Sequence, residues 1–179
     1  MKKVLHTKRL TLRPLTVYDL TAVHEYSSDL ETTKLMMFLP NETLDETKEF
    51  LINAANEWEK ETPTYYEFGM IYKENLIGAI SVYLDETMTE GELGWIINKA
   101  YWKQGFTKEA ALTIKDFCIH ELKLKRILAH CDSQNIGSYR VMEAIGLTKI
   151  SDDQYRCNKS SKTPSLEFCY ELRINEEIS

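Results

Sequence analysis

Glycine and proline are scarce in this chain, seven and four among 179 residues, which sets it apart from linker, collagen-like and low-complexity sequences. Cysteine is scarce too. Cys118, Cys131, Cys157 and Cys169 stand far apart with no CxxC pair, so the pattern offers neither a disulfide framework nor a zinc ribbon and predicts reduced thiols in a cytoplasmic protein. His6, His24, His120 and His130 show no metal-ligand or triad spacing, so no metal is expected and none of the four is assigned a role. No run approaches the roughly 20 apolar residues of a membrane span. The opening MKKVLHTKRLTLRPLT interrupts every apolar stretch with basic or polar residues, unlike a secretory signal. Positive charge is not in excess either. The formal net charge is −6, and the acidic surplus lies in the first half, so a nucleic acid is not an expected partner, whereas a cationic substrate is compatible with that half. Walker A and GxGxxG sequences are both missing, which argues against a nucleotide-binding module.

What remains is an ordinary globular composition, 43% hydrophobic and 28% charged. The length suits one domain over residues 1–179, which buries roughly two-thirds of its unfolded surface. Arg9 to Pro14 alternates polar and apolar residues and predicts a half-buried strand ended by proline. Thr16 with Asp19, and Thr43 with Glu46, are capping signals ahead of helices over about 17–27 and 44–60. Tyr65–Tyr72 and Leu76–Leu84 read as a hairpin, and Glu92–Ile97 as a strand with Glu92, Gly94 and Ile96 on one face. A helix over about 107–121 follows Gly105, a strand covers Arg126–Cys131, and a helix begins at Asn135 and stops at Gly146. Strands over 147–155 and 166–174 complete seven, the last of them expected as an exposed edge able to pair with a second subunit. Monomer and homodimer both fit, and the tail from Asn175 is expected to be unstructured.

Chemistry concentrates in the stretch from Glu92 to Gly146. A sharp loop with Gly105 leads into a helix whose first N–H groups lack intrahelical partners, a place suited to phosphate. A plain helix-entry turn explains the same glycine. Cys131 at the end of its strand is a candidate nucleophile for a covalent route, but His130 alternates to the opposite strand face and no nearby sequence feature supplies an activating histidine.

Taken together these residues resemble the GNAT acetyltransferase superfamily, and within it the RimJ/RimL-type branch of protein N-terminal acetyltransferases. The resemblance spans nearly the whole chain. It rests on Lys8-Arg9-Leu10-Thr11-Leu12-Arg13-Pro14-Leu15, Glu92-Leu93-Gly94-Trp95, Tyr101-Trp102-Lys103-Gln104-Gly105-Phe106-Thr107-Lys108-Glu109-Ala110, Asn135-Ile136-Gly137-Ser138, Arg140-Val141-Met142-Glu143 and Gly146-Leu147.

The resemblance implies an α/β fold with a mixed, mostly antiparallel sheet of about seven strands and helices on both faces. It implies acetyl-CoA as cosubstrate, without a metal. The family's pyrophosphate loop falls on residues 102–107, so Lys103, Gln104, Gly105, Phe106 and Thr107 are candidate cofactor contacts. Lys103 stands where the branch commonly has glycine, and Thr107 where the family has a small residue. Asn135 and backbone N–H groups around Ile96 or Ile97 complete the cofactor set, the latter polarising the thioester carbonyl. Many relatives protonate the departing thiolate with a tyrosine seven residues after the asparagine. Here that position is Met142, so the role passes to Ser138, which is alternatively a helix-capping serine. Glu92 is the candidate general base, directly or through water. The implied acceptor is an amine, a ribosomal protein N-terminus by resemblance. A small-molecule amine and a non-catalytic acyl-CoA-binding domain stand as alternatives.

Overall fold

A computed structural model describes residues 3–175. Eight strands form one sheet in the order β1-β2-β3-β4-β5-β6-β8-β7: β1 Leu5–His6, β2 Thr11–Pro14, β3 Tyr65–Tyr72, β4 Asn75–Leu84, β5 Glu90–Ile97, β6 Arg126–Asp132, β7 Thr148–Arg156 and β8 Ser165–Arg173. Every neighbouring pair is antiparallel except β5 and β6. The strand beyond the expected seven is β1, two residues that fold back on Leu12 and Thr11.

The helices are α1 Leu20–Ser27, α2 Leu30–Thr33, α3 Leu44–Glu57, α4 Phe106–His120 and α5 Ile136–Ala144. Thr16 and Asp19 form their capping box around a 3₁₀ turn at Val17–Asp19, not directly at α1. The second box, Thr43 with Glu46, opens α3 as its sequence predicts. Short α2, capped by the Asp29 side chain, has no apolar period long enough to announce it.

Alternation divides the core into two layers. One face of the sheet packs Leu12, Phe68, Met70, Ile80, Val82 and Leu93 against Phe106, Ala110, Ile114 and Phe117 of α4 and Met142 of α5. The other gathers Leu15, Val23, Tyr26, Leu51 and Ala79 with α1 and α3, and Ile96 packs onto that cluster. Helices therefore cover both faces.

One edge assignment is corrected. The C-terminal strand, expected at the margin, is inserted as β8 between β6 and β7, and the outer strand is β7. The crossover through α5 carries β7 two strand positions beyond β6, and the returning hairpin fills the gap with β8 antiparallel to both. Two register shifts interrupt β7, and such irregularity discourages edge-to-edge pairing. The tail beyond Asn175 lies outside the described residues.

Candidate active site

β5 and β6 are partners only from Glu90–Leu93 against Arg126–Ala129. Both strands continue, to Ile97 and Asp132, so they diverge and leave a cleft in the middle of the sheet. Asn98 N–H donates to Ile77 O at 2.8 Å, which assigns the even-numbered backbone groups of β5 to β4. Ile96 N–H is therefore turned into the sheet. Of the expected donors, only Ile97 N–H faces the cleft, and Trp95 N–H faces it too. Ile97 O accepts from Trp102 Nε1 at 3.0 Å, tying this strand end to the loop that follows.

That loop ends at α4. Gly105 is the helix N-cap with φ +79°, and Lys103 has φ +60°. A Cβ on Gly105 would have room, meeting only Arg9 Nη2 at 3.5 Å; the left-handed backbone is what calls for glycine there. Lys103 adopts a conformation that costs an L-residue about 1–2 kcal/mol, which accounts for glycine at its place in the related branch. The first intrahelical donor is Glu109 N–H to Gly105 O, leaving the N–H groups of Phe106, Thr107 and Lys108 without helical partners.

Arg9, just before β2, braces this loop from behind. It donates to Gln104 O at 3.0 Å and Glu109 Oε2 at 2.7 Å, and its guanidinium lies 4.2 Å from the Phe106 ring centre. The Phe106 ring is buried in the core, so its contribution to a ligand is its backbone N–H. Gln104 turns away, its side chain donating to Ala100 O.

A cavity of about 510 Å³ fills the cleft, lined by Trp95, Ile96, Ile97, Lys103, Gly105, Phe106, Thr107, Asn135, Ser138 and, from α2 and its following loop, Glu31, Lys34 and Met36. Of the ten expected site residues, Glu92 and Gln104 do not line it. Lys34, Lys103 and Lys108 give it positive charge, while Glu31 is matched by Lys99 at 3.2 Å. Unsatisfied N–H groups, three lysines and this volume fit a pyrophosphate with an apolar arm.

Asn135 caps α5, its Oδ1 accepting from Ser138 N–H at 3.1 Å. The capping role weighed for Ser138 thus belongs to Asn135, and the Ser138 hydroxyl lies beside the Cys131 thiol. Burial pushes that thiol up to about 12. A protonated thiol is a poor nucleophile at neutral pH, which removes the support for a covalent route. Met142 is buried in the core.

Glu92 stands on the opposite sheet face from α4, half-exposed, within the paired stretch of β5 and β6 one residue short of where the two strands part. Gly94 beside it leaves less space than its missing side chain suggests, since a Cβ there would meet Ser81 Oγ at 3.1 Å. Glu92 Oε1 is 2.9 Å from His130 Nδ1, a pairing that strand alternation alone does not reveal.

Residues 9–148 match the family model described as acetyltransferase (GNAT) domain. The chain belongs to the GNAT acetyltransferase family. Among relatives of this GNAT chain, the uncharacterized N-acetyltransferase YnaD of Bacillus subtilis (strain 168) is 35% identical over 148 residues, 80% of this chain and 81% of that one. The crystal structure of a GNAT-family acetyltransferase from Bacillus anthracis superposes with a TM-score of 0.79 at 28% identity, covering 96% and 98% of the two chains. RimL, a ribosomal L7/L12 α-N-protein acetyltransferase solved with coenzyme A, shares the fold with a TM-score of 0.83 at 12% identity over 96% and 98%. This GNAT protein is accordingly an N-acetyltransferase with acetyl-CoA as cosubstrate. No group of three or more metal-ligating side chains occurs among the described residues, and no helix there is long and apolar enough to cross a membrane.

Proposed function

We propose that this GNAT enzyme acetylates the α-amine of a protein N-terminus, of ribosomal-protein type, in the cytoplasm. In this reading the pyrophosphate lies on the N–H groups of Gly105, Phe106 and Thr107 with Lys103 beside it, and Asn135 holds the arm. Ile97 N–H polarises the thioester carbonyl, and the Ser138 hydroxyl donates to the departing thiolate. Glu92 supplies the negative charge that draws the amine and its proton.

The observation that carries the reading is that Glu92, unlike Glu90, Glu167 and Glu171 around the β5–β6–β8 junction, has no lysine or arginine partner among the described residues. Glu90 and Glu171 are bound by Arg126, and Glu167 by Arg156, whereas Glu92 is paired with a histidine. A carboxylate lacking a permanent cation where the two strands part attracts an ammonium group. The chemistry favours an α-amine over a lysine. With reference pKa values of about 7.7–8.0 and about 10.4, the former offers several hundred times more free base at neutral pH. The likeness to RimL points the same way, as does the stretch Tyr101–Ala110, which resembles that branch apart from Lys103 and Thr107.

Release of free CoA thiol, followed with peptides bearing free or blocked N-termini, with spermidine and with an aminoglycoside, tests it. Turnover is expected with the free N-terminus and not with the blocked peptide. Turnover with spermidine alone assigns a small-molecule acceptor, and thioester binding without turnover on any amine reduces the chain to an acyl-CoA-binding domain.

A further inference from the structure

Among the histidines, His130 alone forms a contact with a residue of the proposed chemistry. It lies on β6 one residue past Ala129, where pairing with β5 ends, so its ring reaches diagonally across to Glu92. Nδ1 and Oε1 are 2.9 Å apart. The ring is partly sheltered and the carboxylate half-exposed, with side-chain exposures of 29% and 51%.

The charged and titratable groups around this ring come from three strands. Glu92 lies on β5, Glu167 on β8 and Arg156 on β7, and Cys169 of β8 is directly opposite His130 in register. Glu167 is already bound to Arg156 at 3.2 Å, so Glu92 dominates. With Glu92 ionised, Nδ1 carries its hydrogen and donates it to Oε1. That fixes the tautomer and leaves the Nε2 lone pair as the basic site of the ring.

We propose that His130 is the proton acceptor of acetyl transfer and that Glu92 is its positioning residue. The inference rests on the amine approaching from the Glu92 face, as argued above. The substrate ammonium first gives one proton to solvent; the neutral amine then loses its second proton to Nε2 as the new bond forms, and the imidazolium is stabilised by Glu92. The nitrogen lone pair forms the C–N bond to the thioester carbonyl carbon and the C–S bond breaks. Sulfur keeps the electron pair and takes a proton from the Ser138 hydroxyl, which solvent restores. Imidazolium then returns its proton to water. Amide and free CoA thiol are the products, with no change of oxidation state.

An imidazole suits this task better than a half-exposed carboxylate, because base catalysis is most effective when the acceptor's pKa lies near the working pH. The hydrogen bond to Glu92, followed by the charges of Glu92 and Glu167, raises His130 above the ordinary histidine value against opposing desolvation and Arg156. The shift is toward the α-amine's own range.

Two measurements on the full chain test the assignment. NMR titration of the His130 imidazole needs no substrate. Its pKa should lie above about 6.5 in the native protein and fall toward that value in Glu92→Gln. Turnover of acetyl-CoA with a free N-terminal serine peptide, or with spermidine if only that is accepted, should fall about 10²–10⁴-fold in His130→Gln at neutral pH with the KM for acetyl-CoA unchanged. Glu92→Gln should lower the acid-side inflection of kcat/KM in step with the NMR shift, an effect that a purely structural histidine would not produce. His130→Gln turning over within about threefold of native, with chemistry rate-limiting, overturns the proposal while leaving the acetyltransferase reading intact. An imidazole that titrates near its ordinary value in both proteins overturns it without any variant of His130. Failure of both amines to be acetylated by native protein defeats the acceptor reading instead, and the NMR arm still judges the pair.

Discussion

Glu67 on β3 is a carboxyl group where none is comfortable. It is 6% exposed, on the sheet face covered by α1 and α3, with the Tyr83 hydroxyl as its hydrogen-bonding partner. Burial pushes its pKa from 4.5 up to about 8, the hydrogen bond from Tyr83 opposing only in part. Between those values the folded protein holds a proton that the unfolded chain has released. Folding stability therefore falls as pH rises through that window, the reverse of a salt-bridged carboxylate. At about 1.4 kcal/mol per unit, the gap between 4.5 and about 8 corresponds to about 5 kcal/mol once Glu67 is fully ionised in the fold.

Glu67→Gln keeps the shape and a hydrogen-bonding partner for Tyr83 and cannot ionise. The difference in unfolding free energy between variant and native should therefore grow with pH, by about 4 kcal/mol from pH 5 to pH 9. For a chain of this length that is a melting-temperature difference larger by about 10 °C at the alkaline end. Other titrating groups, His130 among them, are common to both proteins and cancel in the difference. Urea unfolding at fixed ionic strength across that range is the assay. A variant-minus-native difference that is flat with pH would refute the argument, because it would mean that Glu67 is ionised in the fold at little cost.

Gly105→Ala and Lys103→Gly should separate backbone from charge in the proposed phosphate loop. The first forces alanine to φ +79° and should lose about 1–2 kcal/mol of stability, together with CoA affinity. The second relieves φ +60° and should leave the melting temperature unchanged or higher while weakening CoA binding chiefly at low salt; matching destabilisation in both variants would show that neither conformation is maintained as described. Ser138→Ala should lower kcat more than it raises the KM for acetyl-CoA, and an unchanged kcat with chemistry limiting would leave Ser138 a packing neighbour of Cys131.

Local patterns in the chain determined most of its elements. Period-two alternation located the strands, the Thr43–Glu46 box opened α3, Asn135 began α5 and Gly146, at φ +93°, ended it, because each of these signals acts within a few residues of backbone. Family and cosubstrate were legible through the resemblance carried by the motifs from Lys8 to Leu147, whereas the glycine turn before a helix N-terminus marked by itself no more than a place suited to phosphate. Pairing was another matter. Which strand lies at the edge, where β5 leaves β6, and hence that Trp95 and Ile97 but not Ile96 turn their N–H groups to the cleft, depend on hydrogen bonds between distant segments. Arg9 behind the phosphate loop and His130 against Glu92 are contacts across 95 and 38 positions, and no periodicity encodes them. The burial that raises Glu67 was equally hidden, because its strand alternates normally and only α1 and α3, packed over it, remove the water.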